Sequence, residues 1–384
     1  MNIKLGDLCI IQAGGTPSRS KQEYWNNGEI PWVKIGDIES KYLNKTSEFI
    51  TVEGLKNSSA KKIERGSILY TIFATLGEVC ITNIDVTTNQ AIAGIILKDD
   101  KVYIDYLYYY LKSLKNHVNS IGRGVAQNNI NLTLLRGFEV PIPDKGRQLI
   151  IAQSLSNIEK ILNNKKQQLS EYNQLIKSRF IEMFGDVLKN DKNFSTCPFG
   201  DFVNQMNIGP FGSDLKNDCF VTKENGYCMV YEQKHAIDKK MDVETRYITE
   251  DKYNHLKRFD VVPKDILVSC RGTIGECYII PDDAPHGIIH PSLMMIKVKD
   301  TVNNEFIKFL LEHILDEQQE IGSGVKMAIR ATELAKINTI NPERTMQDEF
   351  ISFVHLIDKS KFEVQKSLNE TQTLFDALMQ EYFG

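Results

Sequence analysis

From Arg147 to Gly185, apolar side chains return at alternating intervals of four and three residues: Ile151, Leu155, Ile158, Leu162, Leu169, Tyr172, Ile176 and Met183. That spacing is the signature of a coiled-coil seam. The same register reappears 199 residues later as Phe350, Val354, Ile357, Lys361, Leu368, Thr371, Phe375 and Tyr382. Neither stretch contains an internal proline or glycine, and both end in Phe-Gly, at Phe184-Gly185 and Phe383-Gly384. About 38 residues rising about 1.5 Å each predict a rod of roughly 57 Å in each case. Lys165 and Arg179 interrupt the first seam, and Lys361 and Thr371 the second; polar seam residues specify register more than they stabilise. The first stretch carries six Lys/Arg against three Asp/Glu and the second three against seven, so the rods are electrostatic complements. A competing reading makes each an independent amphipathic helix packed on its own domain.

The segments before the rods are also doubled. Leu5-Gly6-Asp7-Leu8 matches Phe199-Gly200-Asp201-Phe202, and each is followed by a Gly-rich run, Gly14 to Ser18 or Gly209 to Ser213. Ile68-Leu69 followed by Thr75-Leu76-Gly77-Glu78 matches Ile266-Leu267 followed by Thr273-Ile274-Gly275-Glu276, which predicts strand, tight glycine turn and strand. A helix is expected over Tyr103 to Leu114, with a counterpart at Glu305 to Ile314, and then Ile121-Gly122-Arg123-Gly124-Val125 matches Ile321-Gly322-Ser323-Gly324-Val325. Val140-Pro141-Ile142-Pro143 and Ile340-Asn341-Pro342 end regular structure before each rod.

The expected fold is therefore α+β: two α/β heads related by a pseudo-twofold, joined by two long helices in an antiparallel coiled coil. The domain limits read from the repeat are 1–146 and 186–345 for the heads, 147–185 and 346–384 for the helices. The linker supports the antiparallel choice. Only 14 residues, Asp186 to Phe199, lead from the first rod into the second head. At about 3.4 Å per residue they reach roughly 48 Å when fully stretched, too little to return along a parallel rod.

Composition narrows the function. At 384 residues, 42% hydrophobic and 25% charged, the chain can build more than one core. No apolar run suits a membrane span and the first residues do not resemble an export signal, so a cytoplasmic location is expected. The seven cysteines form no CxxC pair and read as small hydrophobes. No GxxxxGK[ST] or HExxH motif is present, His286 and His290 are separated from any regular helix by Pro285 and Pro291, and Asn341-Pro342-Glu343-Arg344 is not a methyltransferase motif. Neither a cofactor nor a metal is expected on this chain. With a net charge of -4 the chain has no global attraction for a polyanion. Residues 1–146 hold 17 basic against 15 acidic groups, and residues 186–345 hold 20 against 25, so any contact with DNA must come from local clusters or from partner subunits.

In its doubled order of motifs the whole chain resembles the DNA-specificity (S) subunits of type I restriction-modification systems. The resemblance rests on Gly14-Gly15-Thr16-Pro17-Ser18 followed by Ile30-Pro31-Trp32, on Gly209-Pro210-Phe211-Gly212-Ser213, on the Gly77 and Gly275 turns, and on Val140-Pro141-Ile142-Pro143 running into a long helix. The second copy departs from it by lacking the Thr-Pro turn and by carrying Asn341-Pro342. The resemblance implies two target-recognition domains reading the halves of a split double-stranded DNA site. It also implies a helical spacer, two S-adenosylmethionine-dependent adenine methyltransferase (modification) subunits as partners, restriction subunits bound on that assembly, and no catalysis by this chain itself.

Base reading needs side chains that offer paired donors or acceptors to the major groove, Arg or Lys to guanine and Asn or Gln to adenine. The candidates in Gly-rich loops of the first head are Arg19, Lys21, Asn89, Gln90, Arg123, Gln127 and Asn128; in the second they are Ser213, Lys216, Arg271, Lys326 and Arg330. Each has a structural competitor. Gly14-Gly15 and Gly209 to Gly212 suit turns with positive φ, Gln90 suits a strand cap, and Tyr108-Tyr109-Tyr110 suits a packed helix better than a platform for bases. A two-headed protein-protein scaffold is the alternative function.

Overall fold

In a computed structural model, which describes residues 1–122, 129–321 and 330–384, the β-branched runs on either side of Gly77 and Gly275 form the expected antiparallel pairs. Ile68–Thr71 pairs with Val79–Thr82, and Ile266–Ser269 with Cys277–Ile279. Gly77 has φ +82° and donates its N–H to Thr71 O at 3.1 Å; Gly275 has φ +93° and donates to Ser269 O at 2.9 Å. A side chain is strained at such φ, which is why glycine occupies both turns.

Two compact units result: residues 1–168 with 364–384, and residues 169–363. In the first, one sheet runs Cys9–Ala13, Ile92–Leu97, Ile68–Thr71, Val79–Thr82, Tyr42–Leu43, and a smaller one runs Glu48–Ile50, Ile30–Val33, Thr87–Thr88. The second repeats both: Val203–Ile208, Leu293–Val298, Ile266–Ser269, Cys277–Ile279, and then Arg246–Ile248, Cys228–Tyr231, Gly287–Ile289, Asp260–Val261. Pairing is mostly antiparallel, but each small sheet holds one parallel pair, Trp32 beside Thr87 and Met229 beside Gly287. Asp260–Val261 corresponds to a single bridge, Ile63 to Val86, in the first unit.

The long helices span Lys145–Phe184 and Arg344–Phe383, 40 residues each. Each starts in one unit and ends in the other. In the first unit Lys165 Nζ donates to Ser367 Oγ at 2.8 Å and the Arg147 guanidinium lies 5.6 Å from the Tyr382 ring, so the chains run antiparallel. In the second, Arg179 pairs with Glu349 at 3.1 Å and Phe180 packs edge-on against Phe350. The seam serves two surfaces at once. Ile151, Leu155, Leu162 and Phe375 are buried together with Leu107, Tyr109 and Leu111 of the head, with Ile158 and Leu368 partly buried against them. Ile176, Phe350, Val354 and Ile357 do the same with Phe306, Leu310 and Ile314. Leu169 is half-buried and belongs to neither core. The helices touch each other along that seam, so they are not the independent helices of the competing reading, although each also packs on head residues.

A buried glutamine ties each long helix to its head. Gln148 accepts from Tyr103 N at 2.8 Å and donates to Lys101 O and Pro143 O; Gln347 accepts from Asn303 N at 2.8 Å and donates to Pro342 O. Both are essentially inaccessible, and their bonds satisfy backbone groups that would otherwise be buried unpaired. The expected head helices are found at Ile104–Ser113 and Asn304–Ile321. All three of Tyr108, Tyr109 and Tyr110 are buried, so the packed-helix reading of that triplet is the correct one.

Candidate nucleic-acid interface

The Gly14–Lys21 loop is held by close backbone approach. Gly14 N donates to Ile92 O and Gly15 N to Thr88 O at 2.8 Å. A Cβ on Gly14 would lie 2.2 Å from Asn89 O, and one on Gly15 2.4 Å from Ala60 N. Gly209 repeats the arrangement, with its N bonded to Leu293 O and a Cβ position 2.3 Å from His290 O. None of Gly14, Gly15, Gly209 or Gly212 has positive φ, which corrects the expectation of a left-handed turn. Glycine is required at Gly14, Gly15 and Gly209 by what lies against them.

This packing brings four candidates of the first head, Arg19, Lys21, Asn89 and Gln90, to one place. Arg19 lies with its guanidinium 3.6 Å from the centre of the Trp25 ring and 4.9 Å from that of Trp32, and its Nη1 pairs with Glu48 at 2.6 Å. Its hydrogen bond from Arg19 holds the Glu48 carboxyl below the usual range, with Lys34 adding to the effect and burial opposing it. Lys21 Nζ donates to Tyr24 Oη at 2.9 Å. Gln90 Oε1 accepts from the Thr16 hydroxyl, which ties the 88–90 turn to the loop. Asn89 Oδ1 accepts from Ala91 N at 3.0 Å, so that oxygen does turn work. The indole N–H groups of Trp32 and Trp25 donate to Gly15 O and Ser18 O.

In the second head Ser213, Lys216 and Arg271 are exposed, and Gln233 Nε2 pins the Arg271 loop by donating to Arg271 O and Thr273 O. Arg330 is exposed and pairs with Glu333 at 3.3 Å. His290 packs beside Gly209; burial holds its imidazole below the ordinary range, Glu232 opposes this, and Arg246 and Arg271 add to it. Arg246 pairs with Glu232 and lies 3.8 Å from the centre of the Phe220 ring. Arg123, Gln127, Asn128 and Lys326 lie outside the described residues.

The sequence reading missed Trp25, Glu48, Phe220, Glu232 and Arg246. Arg246 opens a strand rather than lying in a loop, where base-reading side chains are expected from sequence. The usable signal in the first head was an arginine and two tryptophans within fourteen residues, Arg19 to Trp32.

Two heads of one topology, each linked to long antiparallel helices, form a recognisable class. The chain belongs to the type I restriction modification DNA specificity domain family, which matches residues 1–171 and 215–371. Among curated relatives it is 32% identical over 186 residues to the type I restriction enzyme MjaIX specificity subunit of Methanocaldococcus jannaschii, covering 47% of this chain and 42% of the relative. It is 25% identical over 190 residues to the EcoR124I/EcoR124II specificity subunit of Escherichia coli, covering 48% and 46%. Each match spans less than half the length of the relative. Two solved structures are similar in fold. One comes from work on complex assembly and conformational transition of the type I R-M system, with TM-score 0.66, 14% identity and 100% and 97% of the chains covered. The other is the S subunit from M. genitalium, with TM-score 0.52, 15% identity and 100% and 96% covered.

Proposed function

We propose that this chain is a non-catalytic subunit that reads an asymmetric, bipartite double-stranded DNA site and directs modification and restriction subunits to it. Residues 1–146 and 186–345 would be the target-recognition domains, and 147–185 and 346–384 the spacer helices. The carrying observation is that two heads of one fold present different side chains on the same loop, the one after Gly14 or Gly209: Arg19 and Lys21 in one, Ser213 and Lys216 in the other. A shared scaffold with unlike reading surfaces suits two unlike half-sites, which face one side of a duplex when about 34–36 Å apart.

Family membership supports the partners, two adenine methyltransferase subunits carrying S-adenosylmethionine, with restriction subunits bound on that assembly in the cytoplasm. No helix among the described residues is long and apolar enough to cross a membrane. The test is to express the chain with its modification subunits in a host lacking adenine methylation and map the methylated adenines. A split, unsymmetrical motif is expected, and exchanging residues 1–146 for another first head should change one half only. A change in both halves, or no motif, would refute the reading.

A further inference from the structure

The small sheets of the two heads can be superimposed residue by residue through their hydrogen bonds. Asn89 N donates to Val33 O in one and His290 N to Tyr231 O in the other; Ile92 N donates to Asn89 O and Leu293 N to His290 O. Val33 therefore corresponds to Tyr231, and Lys34 to Glu232. Side chains confirm the register, because Lys34 N donates to Asp37 Oδ2 and Glu232 N to His235 Nδ1, each three residues on. Trp32 stands opposite Glu48 and Val230 opposite Arg246, so Glu48 corresponds to Arg246.

The same pair of positions thus carries an ion pair of opposite sense. In the first head Lys34 and Glu48 pair at 3.0 Å; in the second, Glu232 pairs with Arg246. What survives the reversal is one arrangement: an arginine guanidinium over an aromatic ring with a carboxylate bonded to one of its terminal nitrogens. The first head builds it from Arg19, Trp25 and Glu48, and the second from Arg246, Phe220 and Glu232. Stacking and a single carboxylate fix the plane of the group and leave other N–H donors available. Nη1 and Nε of Arg246 have no hydrogen-bond partner among the described residues, and its side chain is 35% accessible. Tyr231, next to Glu232, accepts the N–H of His290, whose carbonyl lies against Gly209.

We infer that Arg246 is a specificity-determining residue of the second head, a braced guanine reader that matches Arg19 in the first, with Glu232 and Glu48 as positioning residues. This rests on the DNA-reading function proposed above. With one Nη2 hydrogen on Glu232, the other still makes a pair of parallel donors with Nη1 or with Nε for guanine O6 and N7, a fit that a lysine ammonium cannot reproduce.

The test selects duplexes from a randomised pool with the full chain bound to its modification subunits. Arg246→Lys should lower preference for guanine roughly tenfold or more at one position of the second half-site. The first half-site and the salt dependence of non-specific binding should not change. Arg19→Lys should do the mirror experiment in the first half. Unchanged preference in Arg246→Lys would make the pair purely structural, and equal weakening on every sequence with a shallower salt slope would make Arg246 a phosphate contact; either overturns the inference. If Arg246→Lys unfolds the second head, Glu232→Gln decides: weakened preference at a guanine of that half supports the assignment, and an unmoved preference at every base refutes it. A wild-type complex that selects no split motif would instead sink the proposed function.

Discussion

The two heads share a backbone plan but solve their packing with different chemistry. Around Ile104–Ser113 the first uses tyrosines whose rings are buried and whose hydroxyls reach outward acceptors: Tyr106 to Pro141 O at 2.7 Å, Tyr110 to Glu139 O at 2.9 Å and Tyr109 to Glu159 Oε2 at 2.8 Å. Around Asn304–Ile321 the second uses phenylalanines: Phe306 contacts Phe180 and Phe184, and Phe309 contacts Phe350. Both ends of the repeat close on the same contact, Phe383 against Tyr106 at 5.3 Å and Phe184 against Phe306 at 4.9 Å. One fold thus tolerates a core stitched by hydrogen bonds or a core of stacked rings, because the seam demands only apolar volume at those positions.

The largest expected difference between the units comes from those terminal rings. Phe184 is fully buried among Phe180, Phe194, Phe306 and Phe350, whereas Phe383 is only partly buried. Phe184→Ala should cost about 3–5 kcal/mol in the second unit, and Phe383→Ala roughly half as much in the first. Opening free energies from amide hydrogen exchange in each head would measure both. Equal costs would mean that the two ends are not packed as described.

The glutamine ties should give a more even result. Gln148→Leu and Gln347→Leu each leave backbone groups unpaired, at about 1–3 kcal/mol per site. Gln148 makes three such bonds and Gln347 two, so the first should be the costlier when melting temperatures are compared.

Acid should separate the units by the pH at which each weakens. Burial, the largest cause in each case, holds His235, His290 and His313 of the second unit below the ordinary imidazole range. The unfolded chain then binds protons first, so this contribution is complete above about pH 6.5 and is lost as pH falls through the window below it. In the first unit burial opposes ionisation of Asp105, but Lys41 at 2.6 Å and the Tyr42 and Tyr103 hydroxyls outweigh it and hold the carboxyl low. A depressed carboxyl contributes above its unfolded value of about 3.9 and loses that contribution as pH falls through the folded value. Hydrogen exchange at pH 7.5 and 5.5 should show the second unit weakening and the first nearly unchanged. Parallel weakening would contradict the assignment.

The smallest effect sharpens the comparison of cores. Tyr106→Phe removes one hydroxyl and makes the first unit resemble Phe306 of the second, at about 0.5–1.5 kcal/mol. A neutral result would show that the bond to Pro141 O is replaceable by water.

Much of this architecture follows from order and spacing along the chain alone. Strands on either side of Gly77 and Gly275, two 40-residue helices and their antiparallel sense all reflect local constraints: period, left-handed turns and the reach of a short linker. The candidates Arg19, Lys21, Asn89 and Gln90 stand out in the sequence only as residue types able to read bases, and the structure gathers them around one loop. Tertiary structure decided what depends on register between distant segments. Lys34 and Glu48, or Glu232 and Arg246, are fourteen residues apart and face each other only because two strands pair at one register. The requirement for glycine at Gly14 and Gly209 has the same origin, since it comes from the Asn89 and His290 carbonyls packed against them rather than from their own φ. Local sequence encodes conformational preference, whereas close approach and charge pairing belong to whichever residues folding makes neighbours.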